Sequence, residues 1–118
     1  MIAGNQTEKQ RLAEISSDSR FQRVPNAFVT EGDVNGGQVD ANILWRLEDG
    51  TIELQASLSV PKLGMEAMSW MAQRNAPFTM AEVSAAFPAI PEGGMKRTLA
   101  SCAEHGLLKL LWYPEAPR

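Results

Sequence analysis

Residues 78–113 read FTMAEVSAAFPAIPEGGMKRTLASCAEHGLLKLLWY and carry the strongest local signals in the chain. Thr79 and Glu82 have the spacing of a capping box, in which each residue satisfies a backbone N–H of the other at the start of a helix. Pro88 cannot continue a helix, because proline lacks the backbone donor and its ring clashes with the preceding turn. These positions predict a helix from about Met80 to Phe87.

A second helix is predicted directly after this turn. It starts between Pro91 and Met95 and ends at Gly106, a residue suited to the left-handed position that closes a helix. One side of this helix is apolar, so we expect it to pack on a core. The apolar residues are Met95, Leu99 and Cys102, and a strand is predicted to follow at Leu107–Tyr113.

Upstream, two segments with alternating apolar and polar residues predict a β-hairpin. They flank Asp49-Gly50, a pair that favours a two-residue type I′ turn. With that turn, every inward residue faces an apolar partner across the hairpin, including Ile52 and Leu54. The predicted pairs are Leu47–Ile52, Trp45–Leu54, Ile43–Ala56, Ala41–Leu58 and Val39–Val60.

The remaining segments complete the predicted architecture. Leu63–Asn75 is apolar nearly all round, which is typical of a helix buried between layers. Thr7 and Gln10 indicate a short N-terminal helix, and residues 16–38 are interpreted as an irregular connector with at most a short strand at Ala27–Thr30. We therefore expect residues 1–38 to form the N-terminal helix and connector and residues 39–118 the main body, as one folding unit.

Composition limits the classes of protein that fit. A chain of 118 residues with 44% hydrophobic and 21% charged residues suits one globular domain. The single cysteine excludes an internal disulfide, and the first residues lack the pattern of a signal peptide. The longest apolar runs are far shorter than the ~20 residues of a membrane-spanning helix. We expect a cytoplasmic protein that does not enter the membrane.

The charge distribution bears on nucleic-acid binding. The net charge is −3; residues 1–60 carry five basic and nine acidic groups, and residues 61–118 carry six basic and five acidic groups. Cationic side chains supply most of the non-specific affinity for DNA. Neither half of the chain is a basic patch, which weakens the case for a nucleic-acid ligand.

The chain resembles the winged-helix superfamily of helix-turn-helix proteins over residues 79–108. In that pattern a Thr-x-x-Glu-apolar helix is followed by a turn with one buried apolar residue, a helix with apolar, Arg and Leu positions, and a closing Gly-Leu-Leu. The resemblance implies an α+β fold with a β-hairpin packed on a three-helix winged-helix-like core. The matching residues are Thr79, Glu82, Val83, Phe87, Ile90, Met95, Arg97, Leu99, Cys102, Gly106, Leu107 and Leu108.

Winged-helix proteins bind DNA, peptides or other proteins, and three departures disfavour DNA here. The helix that would read bases begins with Glu92, Gly93 and Gly94, a carboxylate that repels phosphate and two residues without side-chain donors. No basic wing hairpin follows the last predicted strand. Positive charge near that helix comes from three residues, Lys96, Arg97 and Lys109.

Two families without DNA ligands resemble the chain in outline. One is the pyrroloquinoline-quinone chaperone family, whose members bind a leader peptide as an added strand beside the third helix. That resemblance implies a groove between the hairpin edge and the third helix, unless Leu107–Tyr113 already pairs with this edge. The other is the winged-helix appendage of cupin-type hydroxylases, similar to residues 58–108. It would imply a separate catalytic domain, because a chain with one histidine has no His-x-Asp iron motif.

Searches of the sequence for catalytic or metal-binding sets give none. Cys102 and His105 lie three residues apart on one helix, but two ligands are too few for zinc. Cys102 falls on the apolar side of its helix, which favours a buried structural thiol. We therefore predict no catalytic residue, no metal and no cofactor.

Taken together, the sequence predicts a non-catalytic accessory or adaptor protein that binds a protein or peptide. A second copy of the chain is a further candidate partner. The alternative is a small DNA-binding transcriptional regulator that acts as a dimer. The predicted partner-binding residues are Leu44, Arg46, Lys96, Arg97, Trp112 and Tyr113, and those of the DNA alternative are Lys96, Arg97, Thr98, Ser101 and Lys109.

Overall fold

The computed structural model describes residues 15–111, and within them the chain forms six strands and three helices. The predicted N-terminal helix lies outside the described residues. No helix in residues 15–111 is long and apolar enough to cross a bilayer. The strands are β1 (Arg20–Arg23), β2 (Ala27–Asn35), β3 (Gln38–Arg46), β4 (Ile52–Pro61), β5 (Phe78–Thr79) and β6 (Leu108–Leu111); the helices are α1 (Lys62–Ala72), α2 (Met80–Ala86) and α3 (Glu92–Glu104).

The predicted fold class is wrong in its sheet architecture. The fold is α+β, but its strands form two antiparallel three-stranded sheets, a larger one in the order β2-β3-β4 and a smaller one in the order β5-β1-β6. A single β-hairpin packed on a three-helix core is therefore not what the chain adopts. Two of the extra strands, β1 and β2, come from residues 16–38, which we predicted to be mostly irregular, and the third is the two-residue β5. β1 has only four residues, and residues 30–35 of β2 are exposed, so neither gives a clear pattern of alternating burial.

The predicted hairpin register holds for only part of its length. Val39 pairs with Val60, Ala41 with Leu58 and Ile43 with Ala56, as expected. The register then shifts by one residue, so that Leu44 pairs with Leu54 and Arg46 with Ile52. Trp45 consequently pairs with Glu53 and not with Leu54. The shift leaves Gln55 as the extra residue of a bulge, which reverses the faces of the residues before it.

The longer hairpin loop accounts for this shift. The backbone N–H of Leu47 donates to the carbonyl of Thr51 at 2.8 Å, so the loop contains more than the two predicted residues. Asp49 Oδ1 accepts a hydrogen bond from the Thr51 N–H at 3.0 Å, a local turn that competes with continued strand pairing. Ile52 and Leu54 are therefore 47% and 58% exposed, and their predicted inward positions are wrong.

The core lies between the larger sheet and α1. The sheet contributes Val39, Ala41 and Ile43, all buried, and α1 contributes Met68 and Met71, which are fully buried. α1 also packs against β2, β4, α2 and α3. The prediction of a helix buried between layers is confirmed, although the helix ends at Ala72 and not at Asn75.

The smaller sheet is held by aromatic packing and by an arginine. Phe21 of β1 is completely buried and its ring centroid lies 6.1 Å from that of Phe78, which in turn meets Trp70 edge to face at 5.4 Å. The guanidinium of Arg23 donates to the carbonyl of Arg74 at 3.3 Å. It also donates to the carbonyls of Pro25, at 2.9 Å, and Ala27, at 3.2 Å, and so joins two chain connections that are far apart in sequence.

The local signals of α2 and α3 are confirmed. Thr79 Oγ1 accepts from the Glu82 N–H at 3.1 Å, and Glu82 Oε1 accepts from the Thr79 N–H at 2.9 Å, which completes the capping box. α3 buries the three residues of its predicted apolar side, and Gly106 follows it with φ of 92°. The buried residues are Met95, Leu99 and Cys102.

Gly106 has a second role that the sequence did not indicate. The indole Nε1 of Trp45 donates to the Gly106 carbonyl at 2.8 Å. A Cβ added at Gly106 would lie 3.0 Å from Cζ2 of Trp45. The turn between α3 and β6 is thus the point where the larger sheet meets the smaller one, and it has no room for a side chain.

Candidate functional site

Among the described residues, a concave surface lies between β4 and α3. It has a volume of about 460 Å³, and we call it the β4–α3 groove. One wall is the end of β4, the opposite wall is α3 with the turn before it, and α1 closes the third side. Its residues are Leu58, Ser59, Val60 and Pro61 of β4, Leu63, Gly64 and Met68 of α1, Ala89, Ile90 and Pro91 of the turn, and Gly94, Arg97, Thr98 and Ser101 of α3.

The groove follows the edge of β4 and not one of its faces. Successive side chains of a strand point to opposite faces of the sheet, yet Leu58, Ser59 and Val60 all line the groove. Leu58 and Val60 are half-buried, and Ser59 is exposed. A ligand in the groove would therefore lie beside the main chain of β4.

The same edge of β4 is open. Within residues 15–111, β4 pairs with β3 on one side and with no strand on the other. Leu108–Leu111 pairs with β1 in the smaller sheet, so this part of the predicted C-terminal strand does not cover β4. An open edge presents unpaired N–H and C=O groups, which are a ready template for another strand.

Close packing of α1 against β4 shapes this end of the groove. Pro61 is the N-cap of α1 with an extended backbone, so the chain turns directly from strand into helix. A Cβ added at Gly64 would lie 3.4 Å from Cβ of Val60, a tight contact. The small residue at this position therefore lets the first turn of α1 approach the edge strand closely.

The wall formed by α3 begins with two glycines that the backbone does not require. Neither Gly93 nor Gly94 has a positive φ, and a Cβ added at either one meets nothing closer than 3.6 Å. In a helix interior glycine is about 1 kcal/mol less favourable than alanine. The fold would accommodate alanine at both positions. The glycines therefore leave the backbone of this helical turn without side chains over it, and they lower the stability of the helix.

Arg97 dominates the electrostatics of the groove. It is exposed, and it has no hydrogen bond or ion pair with any described residue. No carboxylate lines the groove. Lys96, the residue before Arg97, forms an ion pair with Glu92, with 3.6 Å between Lys96 Nζ and Glu92 Oε2.

The structure separates the predicted partner-binding residues into two regions. Arg97 lies in the groove, and Lys96 is beside it on α3. Leu44 and Arg46 belong to β3, the central strand of the larger sheet, and lie on the sheet face opposite α1. There the Arg46 guanidinium lies 5.5 Å from the centroid of the Phe28 ring. Trp112 and Tyr113 fall outside the described residues.

The residues of the DNA alternative are similarly divided. Arg97, Thr98 and Ser101 line the groove, but the Thr98 hydroxyl donates to the Gly94 carbonyl at 2.9 Å and so is already used within the helix. Lys109 is exposed on β6, in the smaller sheet. Sequence reasoning did not name Leu58, Ser59 or Val60, although the open hairpin edge to which it pointed is the strand that carries them.

Cys102 does not offer a nucleophile at the surface. It is fully buried on α3, and burial raises the pKa of its thiol to about 12. The reactive form of cysteine is the thiolate, which this environment disfavours near neutral pH. Among residues 15–111 no cluster of three or more His, Cys, Asp or Glu side chains is placed to hold a metal ion.

Comparison with known proteins gives no relative. No family model, no curated protein and no solved structure matches this chain.

Proposed function

We propose that this protein is a non-catalytic accessory protein that binds an extended segment of another protein or peptide. The segment would add to the larger sheet as a strand beside β4 and would lie against α3. The observation that carries this proposal is the coincidence of an open strand edge with an apolar groove along the same edge.

Strand addition combines two kinds of contact that have different roles. Main-chain hydrogen bonds to the open edge provide affinity for any extended backbone, and side-chain pockets beside the edge provide selectivity. The volume of about 460 Å³ falls within the range of about 300–1,000 Å³ that is typical of ligand sites. Because a strand advances about 3.3 Å per residue, the groove along Leu58–Pro61 suits a segment of about four to six residues.

The single buried thiol, which has no disulfide partner in the chain, supports a cytoplasmic site of action.

Binding can be tested with phage-displayed random 12-residue peptides selected on the immobilised protein. Enriched peptides are then titrated into the wild type and into Ser101→Trp, which places bulk in the groove. We expect Ser101→Trp to weaken binding at least tenfold. Ala85→Trp is the matched control, because Ala85 is exposed on α2 and lies outside the groove. It should bind like the wild type.

Amide hydrogen exchange tests strand addition without any substitution. A bound peptide should slow the exchange of amides in β4, while those in β2, at the opposite edge of the sheet, stay unchanged. If no enriched peptide protects β4, the proposal is wrong. It is also wrong if a random DNA duplex binds with steep salt dependence that Lys96→Glu with Arg97→Glu abolishes, since that result identifies a DNA-binding regulator.

A further inference from the structure

The charge of the β4–α3 groove is unusually simple. Arg97 is the only charged residue among those that line it. Every other lining residue is apolar, is glycine or proline, or carries a hydroxyl group. The nearest acidic residue in sequence, Glu92, has its carboxylate 3.6 Å from the Lys96 ammonium, where that charge is already paired. The groove is thus an apolar channel with one positive charge that has no ion-pair partner among residues 15–111.

The position of Arg97 leaves its guanidinium accessible. Its Nη1 atom would lie 3.7 Å from a Cβ added at Gly93, and its Nη2 atom 3.9 Å from one added at Gly94. The guanidinium therefore lies back along the first turn of α3, over the two glycines. The amino-terminal end of a helix carries a partial positive charge, so its field there has the same sign as that of Arg97.

The apolar part of the groove imposes a second requirement. Leu58 and Val60 of β4 line the groove together with Ile90 of the turn. In an extended ligand alternate side chains point in the same direction. Residues two apart in the ligand would therefore meet this apolar surface, and a residue near Arg97 would meet the guanidinium.

We propose that the segment bound in the groove is acidic and extended, with apolar residues at alternate positions and a carboxylate that Arg97 binds. This inference rests on the proposed function and specifies the class of its ligand. A guanidinium forms paired hydrogen bonds with a carboxylate, and such charge-assisted bonds are stronger than those between neutral groups. Attraction of a nucleic-acid backbone would instead require several cations along one surface, and the groove offers one.

Gly94 belongs to the same site. Alanine at Gly94 would stabilise α3 in the free protein but would add a methyl group beside the Arg97 guanidinium. We expect Gly94→Ala to raise the midpoint of urea unfolding and to weaken binding of an acidic peptide. A change that stabilises the fold and weakens binding separates a ligand contact from a structural effect.

The ligand class is tested by repeating the phage selection on three proteins: the wild type, Arg97→Glu and Ala85→Glu. Peptides selected on the wild type should alternate apolar residues and be enriched in Asp or Glu. Arg97→Glu should select Lys or Arg at the corresponding position. Ala85→Glu is the control, because it adds a carboxylate at an exposed position of α2 that lies outside the groove. It should select the same peptides as the wild type.

A synthetic peptide with the consensus sequence provides the quantitative test. Replacing its acidic residue by the corresponding amide should weaken binding to the wild type about tenfold, as expected for loss of one charge-assisted contact. The same replacement should change binding to Arg97→Gln by less than about twofold. Urea unfolding of each variant checks that the loss does not come from an unstable fold.

The outcomes separate this inference from the proposed function. Peptides that protect β4 but show no acidic preference would overturn the carboxylate contact and leave strand addition intact. Failure to select any peptide whose binding Ser101→Trp weakens would overturn both the inference and the proposed function. A wild-type protein that is dimeric at micromolar concentration, and monomeric as Ser101→Trp, would show that a second copy occupies the groove, which also overturns the peptide proposal.

Discussion

The two three-stranded sheets of this protein bury their residues to different degrees. In the smaller sheet, Phe21 of the central strand is fully buried, and Phe78 and Leu108 on the strands beside it are each 2% exposed. In the larger sheet, β4 has no buried residue, and Leu54 on it is 58% exposed. The comparison indicates that the smaller sheet has buried residues on all three of its strands, whereas the larger sheet buries Val39, Ala41 and Ile43 of its central strand and leaves β4 available for contacts.

The largest expected effect is that of Phe21→Ala. Removing a fully buried aromatic side chain costs about 3–5 kcal/mol in the free energy of unfolding. Phe28→Ala is the matched substitution in the larger sheet, where the half-buried ring meets the Arg46 guanidinium, and it should cost about 1 kcal/mol. Urea unfolding measures both. Equal losses would show that the outer face of the larger sheet is packed as well as the smaller sheet, against the comparison.

The next effect concerns the point where the sheets meet. Gly106→Ala should cost about 2 kcal/mol or more, because a side chain at φ of 92° is strained and would collide with Trp45. Gly37 has a similar φ of 85°, but a Cβ added there would meet nothing within 4 Å. Gly37→Ala is therefore the matched control. It should therefore show the backbone strain alone, about 1 kcal/mol. If the two variants lose the same stability, Trp45 does not pack on Gly106 in solution.

Cys102 gives a pH-dependent test of the burial of the apolar side of α3. Its pKa rises from 9.0 to about 12 on burial, so the folded protein retains a proton that the unfolded chain loses. The stabilisation is complete below pH 9 and decreases from pH 9 to about 12, by about 1.4 kcal/mol per pH unit from this group. Cys102→Ala should lack that component in urea unfolding between pH 9 and 10.5. Identical slopes for both proteins would show that the thiol is solvated.

The smallest effect is expected on the outer face of the larger sheet. Leu54→Thr should change the free energy of unfolding by no more than about 0.5 kcal/mol, since the side chain is 58% exposed and threonine suits a strand. It should also leave peptide binding in the groove unchanged. A decrease in the free energy of unfolding above about 2 kcal/mol would mean that Leu54 is covered in solution. The outer face of the larger sheet would then not be exposed.

The parts of the fold that sequence predicted are those with short-range causes. The capping box of Thr79 and Glu82 needs only one helical turn, and the apolar side of α3 follows from helical periodicity. The hairpin register was correct from Val39 to Ile43 and failed where Asp49 bonded to Thr51 and a bulge absorbed the extra residue. The register shift thus reversed the faces of Ile52 and Leu54.

At the candidate site, too, sequence predicted single residues but not how the fold brings them together. Sequence reasoning named Arg97 and pointed to the hairpin edge, but it placed Leu44 and Arg46 with Arg97, and the structure puts them on another face. Whether the C-terminal strand covers β4 depended on β1, whose residues Phe21 and Arg23 pair with Leu110 and Leu108. Those partners lie more than 80 residues away in the chain.

By itself, the sequence determined the three described helices, the capping box of α2, most of one hairpin and the charged residue of the groove, because hydrogen bonds and periodicity within a few residues specify them. Only the tertiary structure decided that β1 inserts between β5 and β6, which leaves the edge of β4 beside α3 without a partner strand among residues 15–111. Strand pairing across long separations depends on which apolar faces can be buried together, and that choice is made by the whole chain at once.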